Sequence, residues 1–251
     1  MTVHARCTIG AVTPMSPRLL LTCSLCALLL SASSSYASQL DGVLRDWITR
    51  NIALERTADG RDVLLLRKAP IRAYIRIADP DIESEARTAI ANFADALEIS
   101  YEFTSTNINM VVAIADRIAD ESGKPSMDLL RSFGLTGDNT DVVTDNDWSP
   151  GCGYYGSRDL VERFLIFSIV AGRKDFTKQR LKSCVMTGII MGFGLRIQER
   201  RLIESADGYL QFLLLGRSSK ECDDEVTATG QLSTSESLID CVYKKMRSKF
   251  H

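Results

Sequence analysis

Apart from a leader segment, the chain carries four cysteines, Cys152, Cys184, Cys222 and Cys241, and these are the residues best placed to do chemistry. An even number in an exported chain points to two disulfides among three pairings. The expected pairs are Cys152–Cys184, which ties a long loop to a central helix, and Cys222–Cys241, which clamps the last helix. A cysteine-rich zinc site is the alternative. It has no CxxC pair to build on, and beyond the leader the only imidazole is that of the terminal His251. The same shortage removes Ser-His-Asp and Cys-His constellations. Cys184 as a nucleophile would have to draw on Lys178 and Lys182, and a disulfide is its expected state instead. No catalytic residue, metal ligand or cofactor is assigned.

Acidic side chains offer the other chemistry. Asp138, Asp141, Asp145 and Asp147 lie in a Gly-, Asp- and Asn-rich stretch from Gly134 to Gly156. They lack the turn glycine and closing Glu of a calcium loop, so Asx-turns account for them. Glu199 and Glu204 follow the central helix and read as solvated charges. A carboxylate pair assembled by the fold, as a hydrolase would need, is not visible in a sequence. GFG and GCGYYG lack the strand, Lys-Ser/Thr and helix context of a phosphate loop.

Composition sets the frame. The 251 residues are 45% hydrophobic and 25% charged, an ordinary globular balance. Arg18 precedes the apolar run LLLTCSLCALLL and the small-residue stretch SASSSYASQ, the pattern of a secretory signal over residues 1–37. Met15 is an alternative start. Cys23 and Cys26 raise a lipoprotein reading, but neither sits in a good small-residue lipobox. The remaining 38–251 has 28 basic against 32 acidic residues, a net of −4, and no basic patch that suits nucleic acid. Lys244, Lys245, Arg247 and Lys249 read as the wet side of a last helix. No stretch after the leader is long and apolar enough for a membrane helix. The expected location is periplasmic or secreted.

The elements that must position these residues follow from periodicity. Residues 39–53 predict a helix with Val43, Leu44, Trp47 and Ile48 inward. Asp59-Gly60 predicts a hairpin turn between strand-like runs. IRAYIRI (71–77) alternates as a half-buried strand. Asp79-Pro80 opens a helix through residue 98 with Ile82, Ala86, Ala89, Ile90, Phe93, Ala94 and Leu97 on one stripe. Strands are expected at 99–103, 108–115 and 161–171, and a short helix at Ser126–Phe133. Leu181–Leu195 predicts the central helix, capped by Asp175 and ended by Gly194, with Leu181, Cys184, Val185, Gly188, Ile189 and Gly192 at helical spacing. Gly188 and Gly192 each weaken a helix by about 1 kcal/mol, so close approach of neighbouring backbone is expected there. Tyr209–Leu215 is either strand or helix. Ser233 and Glu236 form a capping box for a helix to about 248, with Leu238, Ile239, Val242, Tyr243 and Met246 inward. Residues 198–251 form the disulfide-stapled C-terminal part of a single domain.

This order of parts, from about Leu66 to Leu195, resembles a proteobacterial family of uncharacterised secreted proteins and proposed lipoproteins, a domain of unknown function with zincin-like architecture. The family helix carries a Cys, an acidic pair, a Gln and Gly-Leu. Cys184 and Gly194-Leu195 match, while the acidic pair falls on Thr187 and Gly188 and the Gln on Met191. The resemblance implies an α+β fold, a mixed or mostly antiparallel sheet packed on long helices. It also implies a degenerate site. A zincin helix needs His, Glu and His at i, i+1 and i+4, with Gly three further on; Thr187, Gly188, Met191 and Gly194 stand there. The expected function is a non-catalytic exported domain, a pseudoenzyme binding a protein or cell-envelope partner. The cleft under helix 177–193 would be lined by Trp148, Tyr154 and Tyr155, aromatics that would serve equally to plug the domain's own core. The alternatives are a secreted peptide or glycan hydrolase and a structural envelope protein.

Overall fold

A computed structural model describes residues 41–114, 152–155, 166–169, 177–197, 203, 205–230 and 233–249. The chain divides into Met1–Leu44 and Arg45–His251, and the strands among the described residues lie in the second unit. The expected signal segment 1–37, the helix at Ser126–Phe133, the aspartates of the long stretch, Trp148, Asp175, Glu199 and Glu204 lie outside the described residues.

The elements are helix α1 (41–51), then β1 (Leu54–Arg56), β2 (Asp62–Leu64), β3 (Ile71–Arg76), α2 (Pro80–Ala96), β4 (Tyr101–Phe103), β5 (Met110–Ala113), β6 (Cys152–Tyr155), β7 (Ile166–Ile169), α3 (Lys178–Gly192), α4 (Ala206–Thr229) and α5 (Ser235–Lys249). The architecture is mixed α and β. β1 and β2 form the expected antiparallel hairpin, with Leu54 opposite Leu64 and Gly60 at φ 84° in its turn. The main sheet runs β4-β3-β5-β7-β6. Its first four strands are parallel and β6 alone is antiparallel, at one edge. The sheet is therefore mixed, as expected, but mostly parallel where the alternative was a mostly antiparallel one.

The connection from β4 to β5 explains the difference. Parallel neighbours need a crossover of a dozen residues or more, and residues 104–109 are too few. The two strands are not neighbours. Phe103 pairs with Ala73 from one side and Met110 pairs with Ala73 from the other. β4 lines the first half of β3 and β5 the second half, so the chain needs only to step across β3.

Asn109 fixes that step. It is 2% exposed. Its N–H donates to the Arg72 carbonyl at 3.0 Å, and its Oδ1 accepts from Arg72 N at 2.8 Å. Its Nδ2 donates to the Pro70 carbonyl at 2.8 Å, and its own carbonyl accepts from Arg67 Nη2 at 3.2 Å. The carboxamide thus lengthens the β3–β5 ladder by imitating a strand's backbone.

Three helices lie together. Asp79 caps α2 through Asp81 N and Ile82 N, and the buried face is the expected stripe Ile82, Ala86, Ala89, Ile90, Phe93 and Ala94, with Leu97 buried just beyond. Thr177, not Asp175, caps α3, accepting from Arg180 N. The starts of α2 and α3 meet through Lys178, which reaches Asp79 at 3.0 Å and Asp81 at 2.6 Å, and through Lys182 with Glu85. Their far ends meet where Phe93 stacks on Phe193, centroids 5.2 Å apart. α4 is one helix of 24 residues, settling the choice left at Tyr209–Leu215 and extending well past it. Gly216 hides this continuity in the sequence, because glycine weakens a helix interior. Here a Cβ at Gly216 would sit 3.7 Å from Leu195 and Leu97, so packing carries the helix through. Gly230, at φ 62°, ends it.

α5 returns along α4 with Leu238, Val242 and Met246 buried, while Ile239 and Tyr243 are half-buried. The box that starts it is not Ser233–Glu236. Ser237 N donates to Thr234 Oγ1 at 3.2 Å and Thr234 N to Ser237 Oγ at 2.9 Å. Ser233 gives its hydroxyl to the Asp62 carbonyl instead. Asp62 Oδ2 accepts from both Ser235 N and Ser235 Oγ at 2.7 Å. In α1, Ile48 is fully buried, Val43 is 67% exposed, and Trp47 lies against the Phe212 ring at 5.2 Å. Ile48 and Trp47 thus face inward as expected, and Val43 does not.

Two outcomes are expected from these contacts. Replacing Asn109 with Ala leaves Arg72 N–H and the Pro70 carbonyl without their partner; urea unfolding should show a loss of about 2–3 kcal/mol. The Ser235 hydroxyl and amide hold the Asp62 carboxyl below its ordinary range. A depressed carboxylate adds stability above the unfolded-state pKa, and that stability is lost as pH falls through the folded value. Asp62→Asn should therefore flatten the fall in melting temperature below about pH 4, read by circular dichroism from pH 2 to 7.

Candidate functional site

The residues singled out by the resemblance lie along and just after α3, which rests on β5 and β7 with α2 beside it. Cys184 is fully buried and disulfide-bonded. Thr187 is 1% exposed, and its Oγ1 accepts from Ile203 N at 3.1 Å. Its hydroxyl is thus occupied in fastening the chain that follows α3. Gly188 is buried and Met191 half-buried.

Gly194 stands just past the helix at φ 95°, the left-handed turn that ends many helices and favours glycine. A Cβ there would collide with the Leu65 carbonyl oxygen and come within 2.9 Å of its carbonyl carbon. Close approach of neighbouring backbone is thus found at Gly194. Around it, Arg67 N donates to the Phe193 carbonyl at 3.1 Å and Arg196 N to the Asn51 carbonyl at 2.9 Å. Leu195 is buried at 3% exposure.

Thr187, Gly188 and Met191 lie on α3, and Gly194 just past its end. Thr187, Gly188, Met191 and Gly194 supply no base, no acid and no imidazole. Among the described residues no group of three His, Cys, Asp or Glu is placed to hold a metal. Carboxylate pairs do come together among the described residues, but around lysines: Asp79 and Asp81 at Lys178, and Glu98 and Asp224 at Lys220. Hydrogen bonding to Lys178, before any other cause, holds Asp79 below the ordinary carboxylate range, and hydrogen bonding to Asp81, then Asp79, pushes the Lys178 ammonium up.

The sequence places Tyr154 and Tyr155 in a loop. Their backbone instead forms the antiparallel edge strand β6, opposite Phe167 and Ile166, and Cys152 heads the same strand opposite Ile169. Within the apolar run 161–171, Ile166–Ile169 is the partner strand, and β6 before it follows a polar stretch. Cys222 and Cys241 are bonded as expected, with Cα atoms 5.9 Å apart, joining α4 to α5. Sequence reasoning passes over Asn109 and Arg67, the second of which is only 3% exposed. Asn109 inside an apolar strand is the available signal, since a buried carboxamide must find backbone partners.

Gly194→Ala should lower stability by at least about 3 kcal/mol, a steric clash added to left-handed strain. Gly60→Ala is the matched control. Its φ of 84° is similar, but nothing lies within 4 Å of the added Cβ, and it should lose only about 1 kcal/mol. Equal losses in denaturant titrations would show that conformation, and not the Leu65 contact, sets the requirement.

No protein-family model, curated protein or solved structure matches the chain.

Proposed function

We propose that this chain is an exported, zincin-like domain without catalytic metal, which binds a protein or cell-envelope partner. The observation that carries the reading is Thr187. Where a zincin helix places its first imidazole, this helix has a buried hydroxyl that accepts the Ile203 amide. A side chain engaged that way cannot also face a metal and a substrate. The order of strand β3, long helix α2, strands β4 to β7 and the Cys-bearing helix α3 supports the zincin-like part.

Export is supported by the cysteines. Bonded Cys222–Cys241 and bonded Cys184 suit an oxidising compartment. No helix among the described residues is long and apolar enough to cross a membrane. Partner binding is supported by Tyr154 and Tyr155 lying on the edge strand beside β7, because a sheet edge is a common place for a partner to add.

Metal analysis of the purified chain tests the reading. The expected result is zinc well below one equivalent and no chelator-sensitive turnover of peptide or glycan substrates. Stoichiometric zinc, or turnover abolished by a chelator, would overturn it. Peptide mapping without reductant should join Cys152 to Cys184. A free thiol at both would remove the support for export.

A further inference from the structure

At the side opposite β6 the sheet ends with β4. Two bonds beside this strand give its orientation: the Ser100 carbonyl accepts from Ile71 N, and Thr104 N donates to the Ala73 carbonyl, both at 2.9 Å. Backbone groups alternate in direction along a strand. Ser100, Glu102 and Thr104 therefore face β3, and the N–H and C=O groups of Tyr101 and Phe103 point outward. Among the described residues no strand pairs with them. The same two residues carry exposed rings, 39% and 37% accessible, set edge to face at 5.8 Å. Arg87 of α2 lies 4.5 Å over the Phe103 ring and is held there by Glu83 at 2.8 Å. Glu102 stands exposed between the rings' residues, and Arg72 across from it on β3 gives its Nε–H to the Asn107 carbonyl.

Edge strands are usually blunted by shortness, by charge, above all Lys, by Pro or by a bulge. β4 is short, three residues, and carries one charge, Glu102, with no Lys or Pro. We propose that this edge receives an extended peptide segment of a partner protein, with apolar side chains on Tyr101 and Phe103 and a Lys or Arg opposite Glu102. Outward backbone donors and acceptors on alternate residues are matched by another extended backbone and not by a helix. The charge on Glu102 selects the partner. A second copy of the chain is the obvious rival. The two-fold register that uses both outward residues pairs Tyr101 with Phe103 and sets Glu102 against its own copy, and like charges directly opposite are unfavourable. A cation at that place turns the same contact favourable. This site is separate from α3 and from the β6 edge, so it stands or falls independently of the metal-free reading.

The test uses the full chain, isotope-labelled, and two capped peptides, Thr-Val-Lys-Val-Thr and Thr-Val-Glu-Val-Thr. The Lys peptide should shift the Tyr101 and Phe103 amides and slow their hydrogen exchange, and the Glu peptide should bind about fivefold more weakly. Glu102→Lys should invert the preference. Tyr101→Pro removes an outward N–H without touching the β3 ladder and should abolish binding. Equal binding of both peptides, shifts centred elsewhere, or retention of binding by Tyr101→Pro would overturn the proposal. So would a dimer in sedimentation with these amides already protected. Should Tyr101→Pro fail to fold, the inversion by Glu102→Lys decides alone.

Discussion

Helix α3 ends in van der Waals contact with the backbone of Leu65 and Leu66, and much of the unit Arg45–His251 is positioned by that contact. Gly194 makes it by lacking a Cβ. The segment it meets, from Asn51 to Arg67, is bonded in several directions. Asn51 accepts from Arg196, Ala53 from Leu65, and Phe193 from Arg67. Asp62 receives the start of α5, and Arg67 reaches Asn109 at the step across β3. The stretch that holds the β1–β2 hairpin thus joins α1, α3, α5 and the main sheet. Most of these bonds lie at buried or half-buried residues, where an unmet group costs about 1–3 kcal/mol, so losing one contact loosens several elements at once.

The paired starts of α2 and α3 show a different balance. Lys178 at the first turn of α3 opposes that helix's own dipole, which favours acids there. Asp79 and Asp81 of α2 offset it, and the same carboxylates suit the dipole of α2. The arrangement compensates two aligned helix ends with one cation. It contributes little to stability, because Lys178 is half exposed and exposed pairs are worth at most about 1 kcal/mol. What fixes the spacing of the helices is apolar: Phe93 against Phe193 at one end, and Gly216 admitting α4 against Leu97 and Leu195.

Local signals are legible in the sequence, and long-range ones are not. The Asp79 cap, the α2 stripe, the Asp59-Gly60 turn, the Gly194 stop and the Cys222–Cys241 bridge each involve near neighbours or a single period. The parallel character of the sheet depends on β4 and β5 flanking β3, a relation between strands that no local pattern encodes. The sequence puts the start of α5 one residue early because Ser233 is drawn away by Asp62, 171 positions before it. It cuts α4 short because the middle of that helix holds Gly216, Ser218 and Ser219, weak helix formers that only tertiary burial sustains. In the candidate site, the residue types of α3 are readable and tell what is missing. What replaces it, the Thr187–Ile203 bond and the Leu65 contact, is a matter of tertiary placement.

That replacement bears on how the resemblance is weighed. Gly194 is the one residue of the zincin pattern that this helix keeps. In a peptidase the glycine turns the chain away so that a further ligand can reach the metal. Here the same turn is demanded by a carbonyl oxygen that leaves no room for a side chain, whether or not a metal ever stood nearby. Its presence is accounted for by that contact and carries no weight for the chemistry. Thr187 and Gly188 carry the weight there, because a buried hydroxyl tied to Ile203 and a residue without a side chain leave the helix nothing to offer an ion. On the described sheet, the exposed Tyr101 and Phe103 of the edge strand β4 present aromatic surface beside backbone groups that no described strand pairs, a combination suited to recognition.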